Sequence, residues 1–285
     1  MPTTFAFLAI GTSWKIIIDK ELIESESTAL LRLIEARIER FDQTYSRFQM
    51  DSVVTQMSQQ AGTYKLPDDA VSMLQVYKQL YEVTNGQFTP LIGQTISDAG
   101  YDANYSLVSK KLTHPPRWEE VMEYHDSVLT MKRPALLDFG AGGKGYLADL
   151  VAQILLDAEL LSFVVDAGGD IVCRGQTRVG LEHPIRTDEA IGIATVTNGS
   201  ICGSAINRRA WGEFHHIMNP VTLTSTRHLL ATWVIADSGL IADALATCLF
   251  FCSPEVLKTV YDFEYVMMFA DEHVEFSPDG RFELF

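Results

Sequence analysis

The stretch Asp138-Phe139-Gly140-Ala141-Gly142-Gly143-Lys144-Gly145-Tyr146 constrains this chain more than any other. It follows a short apolar run, Ala135-Leu136-Leu137. It then enters a segment in which Tyr146, Leu150, Val151, Ile154 and Leu155 recur with helical spacing, which predicts a strand-to-helix turn. Four glycines in six positions leave the backbone bare. Bare amides at a helix N-terminus, beside Lys144, make an anion site, because unpaired N–H groups and the positive end of the helix dipole point the same way. A phosphate-bearing ligand is the first expectation.

A chain of 285 residues with 47% hydrophobic content can bury a full core, and it fits a single domain over 1–285 made of two closely packed lobes. The formal charge of −15, with 22 scattered Lys and Arg, argues against nucleic acid as a partner. A compact anion can still bind through amides, one lysine or a metal. No apolar run reaches the roughly 18 residues of a membrane span. Met1-Pro2-Thr3-Thr4-Phe5 has no basic leader region, so the chain as given reads as cytoplasmic, or as exported if a leader was removed. Cys173, Cys202, Cys248 and Cys252 show no paired spacing and read as buried free thiols.

Ile10 to Ile18 reads as a strand; Leu30, Ile34, Ile38 and Phe41 mark a helix of about six turns. The polar loop Thr44 to Ser52 follows. A second helix opens at Asp68-Asp69 and closes on Asn85-Gly86, and Gln87 to Gly93 is extended before its proline. Residues 94–134 read as an insertion or lid, with a hairpin through Ser127 to Met131. Ser162 to Asp166 is a strand that Ile171-Val172-Cys173 continues past Gly168-Gly169, a bulge or a close approach to ligand. Further strands are expected at Ile191–Val196 and Leu230–Ile235, Ser238 caps a last helix, and a hairpin ends the chain. Helices and strands do not alternate, so the fold class is α+β, sheets flanked by helices, rather than a doubly wound sheet.

Gly140-x-Gly142-x-x-Gly145 with Asp166 downstream matches a dinucleotide fingerprint, which keeps a Rossmann-type NAD(P) oxidoreductase as a remote alternative. Too few βα units follow it for that fold. Asp243 and Thr247, four apart on a helix, present two oxygens on one face. Such a pair suits Mg²⁺, and equally a capping aspartate with a threonine bonded to its own backbone. His215-His216 offers an imidazole base or a packed structural pair.

Together these motifs resemble the FAD:protein FMN transferase family, the ApbE-type flavin transferases. The matching elements run in the family's order: Gly11-Thr12, Ser46-Arg47-Phe48 with Asp51-Ser52, Gly86-x-Phe88, Asp138 to Tyr146 with Asp149, Gly168-Gly169-Asp170, Arg208, His215-His216-Ile217 with Pro220-x-Thr222, and Ala242 to Thr247. The resemblance implies a T-fold-like architecture with FAD in a cleft between two lobes. It implies Mg²⁺ held by Asp243, Thr247 and the Gly143 carbonyl. FAD would be held by Phe48, Asp138, Gly142, Gly143, Lys144, Gly145, Gly168, Gly169, Ser204 and His216, with Phe48 stacked on a ring. A Thr or Ser hydroxyl of an acceptor protein would attack the FMN-side phosphorus and expel AMP, with His216 as base and Lys144 on the phosphate. The chain departs from the family pattern at Ser58, Thr89, Cys202-Gly203-Ser204, Asn219 and Leu223. An FAD pyrophosphatase and a non-catalytic FAD-binding protein are the alternatives.

Overall fold

The computed structural model describes residues 1–278 and 280–285. In chain order its elements are β1 (Thr3–Ala9), β2 (Thr12–Ile18), α1 (Glu24–Tyr45), α2 (Val53–Gln59), β3 (Gly62–Lys65), α3 (Ala70–Val83), α4 (Gly93–Asp98), α5 (Trp118–Val121), β4 (Met122–His125), β5 (Val128–Met131), α6 (Gly143–Asp157), β6 (Phe163–Asp166), β7 (Ile171–Arg174), β8 (Gln176–Glu182), β9 (Ala190–Thr197) and β10 (Ser200–Ala205). Four two-residue strands follow, β11 (Ala210–Trp211), β12 (Phe214–His215), β13 (Met218–Asn219) and β14 (Thr224–Ser225). The chain ends with β15 (Leu229–Ala236), α7 (Gly239–Cys248), α8 (Pro254–Leu257), β16 (Glu264–Phe269), β17 (Val274–Phe276) and β18 (Phe282–Leu284).

Eight strands form the main sheet in the order β1-β2-β6-β7-β10-β15-β16-β17, every neighbouring pair antiparallel. Side chains alternate across it. Val172, Cys202 and Val234 face a core shared with Ile34 of α1, Leu74 of α3, Val151 of α6 and Leu245 of α7. Ile171, Cys173, Ile201 and Ile235 face the other way, onto Leu181 of β8 and Ala194 and Val196 of β9. Helices on one face and a small β18-β9-β8 sheet on the other give the α+β class that the element pattern predicts.

The α1 stripe of Leu30, Ile34, Ile38 and Phe41 is buried as its spacing requires. Asn85 (φ +51) and Gly86 (φ +81) end α3 in the left-handed region. Asp69 does not cap that helix, because its carboxylate pairs with Arg37 of α1. The hairpin expected near Ser127 is β4–β5, and β3 joins it as a third strand.

Several expectations are corrected. Ala135-Leu136-Leu137 is not a strand; it is apolar because Leu137 is fully buried, and a short apolar run cannot be told from a core segment by periodicity. β7 does not continue β6. Gly168 (φ +75) and Gly169 (φ +101) reverse the chain, so Asp166 pairs with Ile171 across a hairpin. Thr89 keeps the extended backbone expected through Gly93, but Pro90–Ile92 is a 3₁₀ turn into α4. β1 and α2 were not foreseen. The Rossmann alternative falls with this topology, since α6 leads into β6, antiparallel to both its neighbours, whereas a dinucleotide fold needs parallel strands around its helix.

Candidate active site

The site is set by a crossing of α6 and α7. A Cβ on Gly145 would lie 2.1 Å from the Gly239 carbonyl oxygen, and one on Gly239 2.3 Å from that of Gly145. Only glycine allows that approach. Asp149, one turn further along α6, accepts the Gly239 and Leu240 amides at 2.7 and 2.9 Å and so caps α7 from outside. Burial pushes the Asp149 carboxyl up to about 6 against the pull of those two amides. Asp243 in turn accepts the Gly145 amide at 3.0 Å. The turn and Asp243, 98 residues apart, therefore touch.

Asp243 is 3% exposed. Burial first, and the Asp170 carboxylate second, push its carboxyl up to about 7, while Lys144 and the amides of Gly145 and Lys144 pull it down. Asp170 holds the Lys144 ammonium in a close ion pair through Oδ2, and its Oδ1 is buried without a partner. Burial opposes the charge on Lys144, but Asp170 and Asp243 outweigh it and keep the ammonium protonated. Thr247, one turn along from Asp243, has its hydroxyl 3.2 Å from Ser204 Oγ on β10. Two buried carboxylates stand against one lysine, with hydroxyls beside them. That all-oxygen donor set fits a hard divalent cation such as Mg²⁺. A buried acceptor without a partner costs about 1–3 kcal/mol, more when charged, and a cation there recovers it.

A cavity of about 890 Å³ opens over this cluster, its walls including Lys144, Gly168, Gly169, Ser204, His216, Asp243 and Thr247. A second of about 680 Å³ adjoins it and shares Gly11, Tyr101, Asp138, Gly140, Lys144 and Arg209. Both are of the size that holds organic ligands. Phe48 lines the second, where its ring stacks on Tyr105 at 5.2 Å and 9° under the Arg47 guanidinium. Asp138 borders both, yet its oxygens are occupied by Arg47 Nε at 2.5 Å and the Gly140 amide at 2.7 Å. Burial works against its charge; Arg47 and Gly140 prevail and hold the carboxyl below its usual range.

The glycines divide. Gly143 lines the second cavity rather than the one holding Asp243 and Thr247. It is the first residue of α6, and a carbonyl there accepts the amide four residues on. Gly142 and Gly145 line neither cavity. Both face α7, Gly142 against Ala244 and Leu240 and Gly145 against Gly239. Their sequence role is helix packing. Gly168 answers to Thr12, whose Oγ1 would be 1.9 Å from a Cβ, while Gly169 faces open space.

His216 lines the first cavity. Burial, then the Arg209 charge, push its imidazole down to about 3. Its Nδ1 lies 3.4 Å from the Arg209 carbonyl; a carbonyl only accepts, so Nδ1 carries the proton and Nε2 keeps a lone pair. His215 is buried, its Nε2 on the Thr226 carbonyl at 2.6 Å. Asp149, Asp170 and Arg209 are residues whose roles the sequence reading did not assign. Asp149 and Asp170 carried a signal, each ending a glycine-containing motif, whereas the family resemblance picked out Arg208 rather than its neighbour Arg209.

The family model described as the ApbE family matches residues 10–268. The chain belongs to the ApbE family. Among curated relatives it is similar to the FAD:protein FMN transferase of Klebsiella pneumoniae (strain 342), 23% identical over 88% of this chain and 79% of that protein. It is similar also to that of Treponema pallidum, 24% identical over 95% and 86%. Its fold matches the ApbE protein of Thermotoga maritima, with a TM-score of 0.83 at 21% identity over 98% and 97% of the two chains. The flavin transferase ApbE from Vibrio cholerae superposes with a TM-score of 0.81 at 18% identity over 97% and 96%.

Three of the departures from the ApbE pattern can be followed in the local structure. Asn219 Oδ1 accepts the Val221 and Thr222 amides at 2.8 and 3.1 Å, as an aspartate there could. Thr89 Oγ1 accepts the Leu91 amide at 3.2 Å. Leu223 sits at φ +58, a left-handed conformation that costs a leucine energy and favours glycine.

Proposed function

We propose that this chain is an FAD:protein FMN transferase that uses Mg²⁺ and FAD to attach FMN, through a phosphoester, to a Thr or Ser hydroxyl of an acceptor protein, releasing AMP. The observation that carries the reading is one cavity wall bearing His216, Lys144, Asp243 and Thr247, beside an Asp170 oxygen that lacks a partner. Asp243 and Thr247 would hold the metal, which when bound would neutralise the diphosphate and draw charge from its phosphorus. Lys144, now held by Asp170, would share its ammonium with a phosphate oxygen. The Phe48–Tyr105 stack would take the flavin or adenine ring against its open face. His216 Nε2 would accept the hydroxyl proton as the acceptor oxygen bonds to the FMN-side phosphorus. The bond from that phosphorus to the bridging oxygen would break, and AMP would leave with the oxygen.

A base held down to about 3 is weak, but an incoming diphosphate brings negative charge that raises it. Incubation with FAD, Mg²⁺ and a candidate acceptor tests the reading. FMN added to the acceptor, seen by mass, together with AMP supports transfer. AMP without modified acceptor makes the protein a pyrophosphatase, and saturable FAD binding with neither product makes it a binding protein.

A further inference from the structure

We infer that Arg209 is the anion receptor at the junction of the two cavities, and that it binds the diphosphate of the nucleotide. The inference rests on the FAD reading above and extends it to a residue outside the turn and outside the metal cluster. Arg209 borders both cavities, on a stretch that also borders Lys144 and Asp138. Of the other cationic side chains lining the two cavities, three are neutralised among the described residues; Lys15, exposed on β2, is unpaired too but lines the first cavity alone. Arg47 is paired with Asp138, Lys144 with Asp170, and Arg208 with Glu182 at 3.2 Å. Arg209 has no carboxylate within ion-pair distance among the described residues. Its guanidinium instead lies 5.7 Å from the centre of the Tyr101 ring, which steadies a long side chain without consuming its charge.

A second, independent link runs through the main chain. The Arg209 carbonyl accepts the His216 amide at 3.1 Å and faces His216 Nδ1 at 3.4 Å. The candidate base and this unpaired arginine are thus spaced by one short backbone ladder, in which Ala210 pairs with His215. The charge of Arg209 helps to keep both His216 neutral and Asp138 ionised. A planar fork with five donors matches two phosphate oxygens in a way that a lysine point charge does not. An anion seated on Arg209 would cancel that charge beside His216 and raise its basicity when substrate is present.

The test uses the intact protein and two probes, inorganic pyrophosphate without metal and FAD with Mg²⁺, each titrated by calorimetry. Arg209→Gln is expected to weaken pyrophosphate binding by about tenfold or more, Arg209→Lys by less, and Arg32→Gln on the exposed face of α1 not at all. Histidine NMR gives a readout that a packing defect would not mimic. In Arg209→Gln the His216 pKa should rise, and pyrophosphate should raise it in the wild type but not in the variant. Pyrophosphate affinity unchanged in Arg209→Gln, or equal in Arg209→Lys and wild type should the glutamine variant fail to fold, overturns the inference and leaves the FAD reading standing. A wild-type protein that binds pyrophosphate but not FAD overturns the FAD reading and leaves Arg209 as an anion receptor.

Discussion

Asp138 and Asp243 reach the same glycine turn from opposite sides, and their surroundings make them opposites. Asp138 is pinned by Arg47 and the Gly140 amide, with its carboxyl below the usual range. Asp243 has backbone amides and a lysine nearby but also a second buried carboxylate, and its carboxyl is pushed up to about 7. The first is a finished contact whose charge is already balanced within the protein. The second belongs to a cluster with an oxygen left over. Asp243 is buried and Asp138 nearly so, its side chain 17% exposed; what separates the two is the presence or absence of a matched cation.

The largest effect expected from that contrast is on activity. Asp243→Ala should lower Mg²⁺-dependent turnover on the order of a thousandfold with little change in melting, and unchanged turnover would remove Asp243 from the metal site. Asp138→Ala should do the reverse. It strands the Arg47 guanidinium, 3% exposed, and should cost about 3–5 kcal/mol in denaturant unfolding; a loss below 1 kcal/mol would make the pair a surface contact. Asp149 lies between these cases. Its carboxyl is raised to about 6 in the folded chain from about 3.9 when unfolded, so its protonated form favours folding. The stability it adds is full below the unfolded value and is lost as pH rises through about 6. The difference in unfolding free energy between wild type and Asp149→Asn should therefore fall from pH 4 to 7, by about 1–2 kcal/mol after allowance for partial exposure. A difference independent of pH would contradict the assigned shift. The smallest effect lies away from the site. Leu223→Gly relieves a left-handed leucine and should stabilise by about 0.5–1 kcal/mol, whereas destabilisation would show that the leucine side chain packs productively.

The same contrast explains what was legible in the sequence. Long amphipathic segments such as Leu30 to Phe41 were readable, because burial of one face imposes a period. Ala135-Leu136-Leu137 was not, because a buried irregular segment and a strand are equally apolar. Lys144, Asp243 and Thr247 could be named from motif and spacing. The glycines are ambiguous from sequence: Gly142 and Gly145 lie bare against α7, and the same letters would serve a bound phosphate. Arg209 could not be singled out, since its lack of a partner depends on Glu182 taking Arg208 and Asp138 taking Arg47. Such pairings exist only once distant segments meet.

The most direct test of the central claim is a crystal soaked with FAD and Mn²⁺ as a magnesium surrogate, with the metal located by its anomalous scattering. A single strong peak is expected within coordination reach of Asp243 and Thr247, with the FAD diphosphate on its open side. A peak elsewhere, or a diphosphate bound away from Lys144 and α7, would contradict it.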